Sequence, residues 1–139
     1  MTDYIEILKQ NELKATFQRI NILKIVEKNG HIDIDGIYEQ IKQVLPTISL
    51  ATVYKNIISM TQNGVLVEVP IIGKKSKYEL KKEEHIHLVC TECGEVEDKE
   101  CLSLTAEALE LLTSKEHFNL ATRQINLYGI CQACQQKAS

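Results

Sequence analysis

Residues 46–80 read PTISLATVYKNIISMTQNGVLVEVPIIGKKSKYEL, and a change of period inside this stretch decides the fold. From Ser49 to Asn63 the spacing is helical. Ser49 is a suitable N-cap, Val53 and Ile57 fall on a core-facing side, and Gly64 is a stop. After Gly64 the period falls to two. VLVEVP and KYEL flank a polar turn containing GKK, the pattern of a β-hairpin.

Two further helical stretches precede this segment. In TFQRINILKIVEKNG, Thr16 caps a helix with apolar residues at Phe17, Ile20, Leu23 and Val26, and Gly30 stops it. In DIDGIYEQIKQVL, Ile34, Ile37, Ile41 and Leu45 share a face, and Pro46 is expected to end the helix because proline disfavours helical geometry in the residue before it. Helix, short turn and helix is a DNA-reading arrangement. Three helices followed by a hairpin predict a winged helix over residues 1–80.

The charged run KKEE predicts a hinge at residues 81–84 before a second domain, 85–139. Strands are expected near Ile86–Val89 and Glu95–Glu97, with an apolar helix around Leu102–Leu112. FNLATRQINLY reads as a last strand whose alternation slips by one residue, and a bulge near Arg123 would absorb the slip. The fold class is therefore α/β (α+β), a winged-helix domain followed by a small α/β domain.

Composition limits the setting. A chain of 139 residues with 44% hydrophobic content can form one medium domain or two small ones. MTDYIEILKQ mixes acids with its apolar residues, so no signal peptide or membrane span is expected and the location is read as cytoplasmic. The net charge of -3 hides an asymmetry: residues 1–80 carry ten Lys/Arg against nine Asp/Glu, and residues 81–139 carry six against ten. An anionic partner is expected at the first part.

Five cysteines in a reducing compartment point to metal or free thiols rather than disulfides. Cys90-Thr-Glu-Cys93 and Cys131-Gln-Ala-Cys134 each offer two thiolates, separated by 37 residues. Together they form a closed tetrahedral set for structural Zn(II), with no position left for water or substrate. The competing reading is two unrelated pairs of buried or redox thiols. Cys101, outside both pairs, is expected to be a small buried hydrophobe.

If one zinc takes all four thiolates, the histidines belong elsewhere. On a strand, His85 and His87 point to the same face and make half of a second site. Read alone, such a pair is equally well two exposed strand histidines. Glu79 at the end of the hairpin, Asp98 after the CxxC strand, and His31 at the start of an amphipathic helix are candidates to complete it. Three imidazoles and two carboxylates suit Fe(II), Mn(II) or Zn(II). Spacing alone does not place His31 in the set.

At this point the chain resembles the ferric uptake regulator (Fur) family of metal-dependent repressors along nearly its whole length. The resemblance rests on LKATFQR, SLATVYKN, HIHLVCTECG and YGICQAC. It implies a homodimer, a winged-helix DNA-binding domain, a dimerisation domain, zinc on Cys90, Cys93, Cys131 and Cys134, and a regulatory ion, Fe(II) or Mn(II), on His31, Glu79, His85, His87 and Asp98. His31 would be the ligand from the DNA-binding part whose capture closes the DNA-competent form. HFNL and the pair His31/Asp98 look closer to the peroxide-sensing, PerR-like branch, while Glu79 departs from that branch's usual aspartate. Phe17 replaces a proline common in the family, at a helix position that tolerates many residues. Arg123 stands where many iron-uptake members carry a histidine of a further metal site. An arginine cannot be that ligand, so no third site is expected, and His117 reads as a surface histidine.

For the DNA face, Ser49, Thr52, Tyr54, Lys55 and Asn56 offer hydroxyl, phenol, cation and amide groups to phosphates and base edges. Lys74, Lys75 and Lys77 of the wing would follow the backbone. The resemblance places Tyr54 in the major groove against a thymine methyl, Lys14 near the adjacent minor groove, and Arg19 on a phosphate. Without it, these are solvated residues of an ordinary helix.

The expected function is a metal-dependent transcriptional repressor of iron-homeostasis or peroxide-stress genes that binds palindromic double-stranded DNA and catalyses nothing. The alternative is a zinc-dependent hydrolase or deaminase with Glu83 or Glu84 as base. Two complete CxxC pairs argue against that. A thiol oxidoreductase would want one exposed CxxC at a helix N-terminus.

Overall fold

The computed structural model describes residues 2–138, which divide into two compact units, the first ending at Lys82 and the second starting at Glu83. In the first unit the order is α1 (Tyr4–Gln10), α2 (Phe17–Asn29), β1 (Ile32–Asp33), α3 (Ile34–Ile41), α4 (Leu50–Gln62), β2 (Leu66–Val69) and β3 (Lys77–Leu80). Side-chain caps start each helix. The oxygens of Asp3, Thr16, Asp33 and Ser49 accept from the backbone N–H three residues on, at Glu6, Arg19, Gly36 and Thr52. Gly30 closes α2 with φ 78°, a left-handed conformation that costs a side-chain-bearing residue more. Gly36 answers a different need, since a Cβ there would lie 2.9 Å from Ile32 Cγ1.

The helices bury one face each. Ile22, Leu23 and Val26 of α2 meet Ile37 and Ile41 of α3 and Val53, Ile57 and Met60 of α4 in one apolar cluster. At ~1.5–3 kcal/mol per fully buried aliphatic side chain, this cluster is the main source of cohesion. α1, which the sequence reading did not isolate, adds Leu8 to it. Tyr4 and Thr2 fasten that helix to Glu27 of α2, with Tyr4 Oη donating at 2.5 Å and Thr2 Oγ1 at 2.7 Å. Burial and the Glu27 carboxylate push the Tyr4 phenol up to about 12.

Several expectations need correction. Phe17 begins α2 as expected but is 62% exposed, because the buried stripe of α2 runs through Ile22, Leu23 and Val26. α3 ends at Ile41, well before Pro46, and Leu45 packs on the core from the turn that follows. The hairpin β2–β3 forms with Leu66 opposite Leu80 and Val69 opposite Lys77. β1 then adds to β3 antiparallel, so the wing is a three-stranded sheet of order β1-β3-β2.

The second unit contains β4 (His85–Cys90), β5 (Val96–Glu100), α5 (Ser103–Lys115), β6 (Ile125–Gly129) and α6 (Gln132–Ala138). Its sheet has the order β5-β4-β6, antiparallel on one side of β4 and parallel on the other. No bulged strand surrounds Arg123. β6 begins at Ile125, so the phase slip marks the start of the strand, and Arg123 lies before it in an ion pair with Glu84. Leu104, Leu111 and Leu112 of α5 are exposed, and no residue of that helix is buried. Among the described residues, no helix is long and apolar enough to cross a membrane.

Candidate metal centres and nucleic-acid interface

The cysteines converge because of strand order. β4 and β6 are parallel neighbours with Cys90 opposite Gly129, so the CxxC after β4 and the CxxC after β6 leave the sheet at the same end. All four sulfurs lie within 4.8 Å of one another. Cys90 Sγ is 3.8 Å from Cys134 Sγ, and Cys93 Sγ is 3.8 Å from Cys131 Sγ. Sulfurs ~2.3 Å from a tetrahedral zinc stand about 3.8 Å apart, so this donor set fits the ion. Backbone N–H groups of Cys131 and Cys93 aimed at Cys90 draw its thiol down to about 6. Cys134, hydrogen-bonded to the Cys131 sulfur and desolvated, is pushed up to about 12. Cys101 is only partly buried, with Sγ 3.8 Å from Leu102 O, rather than the small buried hydrophobe expected of it.

The second donor set of this unit is built by register. His87 of β4 lies opposite Asp98 of β5. His85 Nε2 and His87 Nε2 are 2.9 Å apart, and Asp98 Oδ1 is 3.4 Å from the first and 3.5 Å from the second. Donors ~2.1 Å from a first-row ion are roughly 3.0–3.4 Å from each other, so the triangle fits one face of a coordination sphere. Two imidazoles and one carboxylate are a donor set suited to Fe(II). His87 is 1% exposed, and the two rings meet edge to face. Its Nδ1 donates to Asn126 Oδ1 at 2.8 Å, a partner the sequence reading missed. His117 is exposed.

In the first unit, pairing of Ile32 with Tyr78 carries His31 to the place beside Glu79. His31 Nε2 is 2.7 Å from Glu79 Oε2, and Glu79 is 1% exposed. Glu79, in β3 of the wing sheet, therefore stands beside His31, which directly precedes β1, and His31 is not the lone ligand candidate of the first unit.

The DNA-facing candidates divide into outward groups and internal brackets. Tyr54 is 54% exposed, and Ser49, Lys14, Lys55 and Lys74 are exposed too. Thr52 is half-buried, with Oγ1 2.9 Å from Ser49 Oγ. Arg19 Nε donates to Asn56 Oδ1 at 3.1 Å and its Nη1 to Lys14 O at 2.9 Å, while Asn56 Nδ2 donates to Thr52 O at 3.0 Å. Arg19 and Asn56 thus tie α2 to α4. Lys75 pairs with Asp35, and Lys77 sits half-buried in β3.

The sequence pattern of the Ferric uptake regulator family matches residues 10–128. The peroxide-responsive repressor PerR of Staphylococcus saprophyticus is 30% identical over 99% of this chain and 93% of its own length. The ferric uptake regulation protein of Legionella pneumophila is 33% identical over 92% and 96%. The crystal structure of the Campylobacter jejuni peroxide stress regulator is similar at 38% identity with a TM-score of 0.77, covering 96% of this chain and 100% of that one.

A winged-helix unit followed by an α/β unit that carries a four-cysteine set and a His/Asp donor set defines a metal-dependent DNA-binding transcriptional repressor. The chain belongs to the Ferric uptake regulator family. Members of that family are transcription regulators and not enzymes, which removes the hydrolase and deaminase alternative.

Proposed function

We propose that this protein is a cytoplasmic homodimer that represses peroxide-stress genes, with residues 1–80 binding a palindromic operator, 81–84 acting as hinge, and 85–139 forming the dimer. Cys90, Cys93, Cys131 and Cys134 hold structural Zn(II). His31, Glu79, His85, His87 and Asp98 hold regulatory Fe(II) or Mn(II). The exposed leucines of α5 supply an apolar face that a second copy would cover. The observation that carries the peroxide reading is the His85–His87–Asp98 triangle, a donor set that leaves Fe(II) open to a small oxidant. Likeness to two peroxide-responsive regulators supports it. The Legionella relative favours iron homeostasis as the second reading.

One experiment separates the two. In iron-loaded protein, peroxide should add oxygen to His31 or His85 and release the operator, while the Mn(II) form resists. Peptide mass spectrometry reads the result. Unmodified His31 and His85 in iron-loaded protein that has left DNA would reject histidine oxidation as the switch.

At the DNA end, Tyr54 reads a base edge and the wing lysines track phosphates. Tyr54→Ala should weaken specific binding by about 1–3 kcal/mol while sparing non-specific binding. Lys75→Ala should weaken both and lower the salt slope by about one. The loss for Lys75 falls at the small end, because its Asp35 partner already competes with phosphate. Binding titrations at several salt concentrations measure both, and equal losses on all sequences for Tyr54 would remove it from base readout.

A further inference from the structure

We propose that Asn126 is a positioning residue for the regulatory metal: it fixes the tautomer of His87 so that Nε2 presents a lone pair to the ion. The proposal rests on the reading of His85, His87 and Asp98 as ligands.

The register of the second sheet places Asp98, His87 and Asn126 in one row across β5, β4 and β6, His87 being the partner of Asp98 on one side and of Asn126 on the other. The imidazole is held from both ends. Nδ1 is 2.8 Å from Asn126 Oδ1, and Nε2 faces His85 Nε2 at 2.9 Å and Asp98 Oδ1 at 3.5 Å. A neutral imidazole carries its proton on one nitrogen only, and the hydrogen bond made by the far nitrogen decides which. With the amide oxygen accepting from Nδ1–H, Nε2 is left unprotonated and faces the donor cluster. His87 is 1% exposed, so water is poorly placed to substitute for the amide.

The choice of residue has a further consequence. Ligating histidines donate their second N–H to a carboxylate, a backbone carbonyl or water, and a carboxylate there raises the basicity of the ligand. A neutral amide oxygen is a weaker acceptor than a carboxylate. Asn126 therefore sets orientation while leaving His87 a weaker donor than an aspartate would. It holds the site at lower affinity than the same scaffold can reach.

Asn126→Asp and Asn126→Leu test this in the full-length, zinc-loaded protein. Calorimetric titration with Mn(II) should show a loss of about 10–100-fold for Asn126→Leu and an affinity above wild type for Asn126→Asp. Zinc content should stay unchanged in both. Nitrogen-15 NMR of the imidazoles without added Mn(II) should show His87 protonated at Nδ1 in the wild type and in Asn126→Asp, and a mixture in Asn126→Leu. Wild-type affinity in Asn126→Leu, equal losses in both variants, or a proton on Nε2 in the wild type would overturn the proposal. If Asn126→Leu does not fold, the aspartate variant and the wild-type spectrum still decide it. A different result, His87→Ala binding Mn(II) as the wild type does, would overturn the site reading itself.

Discussion

Replacing Cys93 with serine should strip zinc from the second unit and break the dimer. The four sulfurs lie within 4.8 Å of one another, and a serine hydroxyl does not ionise at neutral pH to replace a thiolate. Structural zinc contributes ~10–16 kcal/mol of apparent binding free energy that is also folding free energy. The second unit has little to offset its loss. Among the described residues its buried apolar side chains are Val89, Cys90 and Val96, and no residue of α5 is buried. The first unit, with a cluster from Leu8 to Tyr78, should keep its helices. Elemental analysis should therefore show loss of tightly held zinc, sedimentation should show monomer, and part of the helical circular dichroism should survive. A Cys93→Ser protein that remains zinc-loaded and dimeric would show the four-cysteine assignment to be wrong.

Local signals in the chain were legible and distant ones were not. Thr16, Ser49 and Gly30 lie at helix ends, and the hairpin register follows from alternation on both sides of a polar turn. α1 was missed because seven residues with one buried side chain make a weak periodic signal. β1 was missed because two residues are a strand only through pairing with β3, some forty-five positions away. The bulge expected near Arg123 came from reading residues before Ile125 as strand, when an ion pair with Glu84 holds that segment instead. The same contrast holds at the metal sets. CxxC spacing is local and was readable, and HxH is local to one strand. The row Asp98–His87–Asn126 needs the register of three strands, and an asparagine carries no metal-ligand signal of its own. The amide of Asn56 suits a base edge and the family resemblance puts Arg19 on a phosphate, and only the fold shows that the two also bond to each other.

The second large effect is expected at His31. A ligand shifts a two-state equilibrium only by its differential affinity for the two states. Moving a repressor from 1:99 to 99:1 takes about 10⁴-fold, or ~5.5 kcal/mol. In the proposed mechanism, ligands contributed by the DNA-binding unit supply that difference, since the histidines and aspartate of the second unit would hold the ion in either state. His31 and Glu79 are the candidates, and they touch at 2.7 Å. Removing His31 takes away one neutral ligand and the imidazole that faces a buried carboxylate. His31→Ala should retain structural zinc and the dimer, because the four cysteines and the α5 face proposed to form the dimer all lie in the second unit. Its operator affinity at saturating Mn(II) should fall about 5–150-fold below that of the wild type, the usual span of an allosteric coupling. Normal repression by His31→Ala would end the clamp mechanism while leaving the zinc assignment standing.

In the proposed function, metal at the regulatory set controls DNA binding. Its most direct test is a titration of zinc-loaded wild-type protein against palindromic operator DNA, with Fe(II), Mn(II) or additional Zn(II) supplied or withheld at fixed salt. Binding should be weak and largely sequence-independent without the regulatory ion, and Fe(II) or Mn(II) should bring a large gain in specific affinity. Operator binding of equal strength with and without the added ion would contradict it.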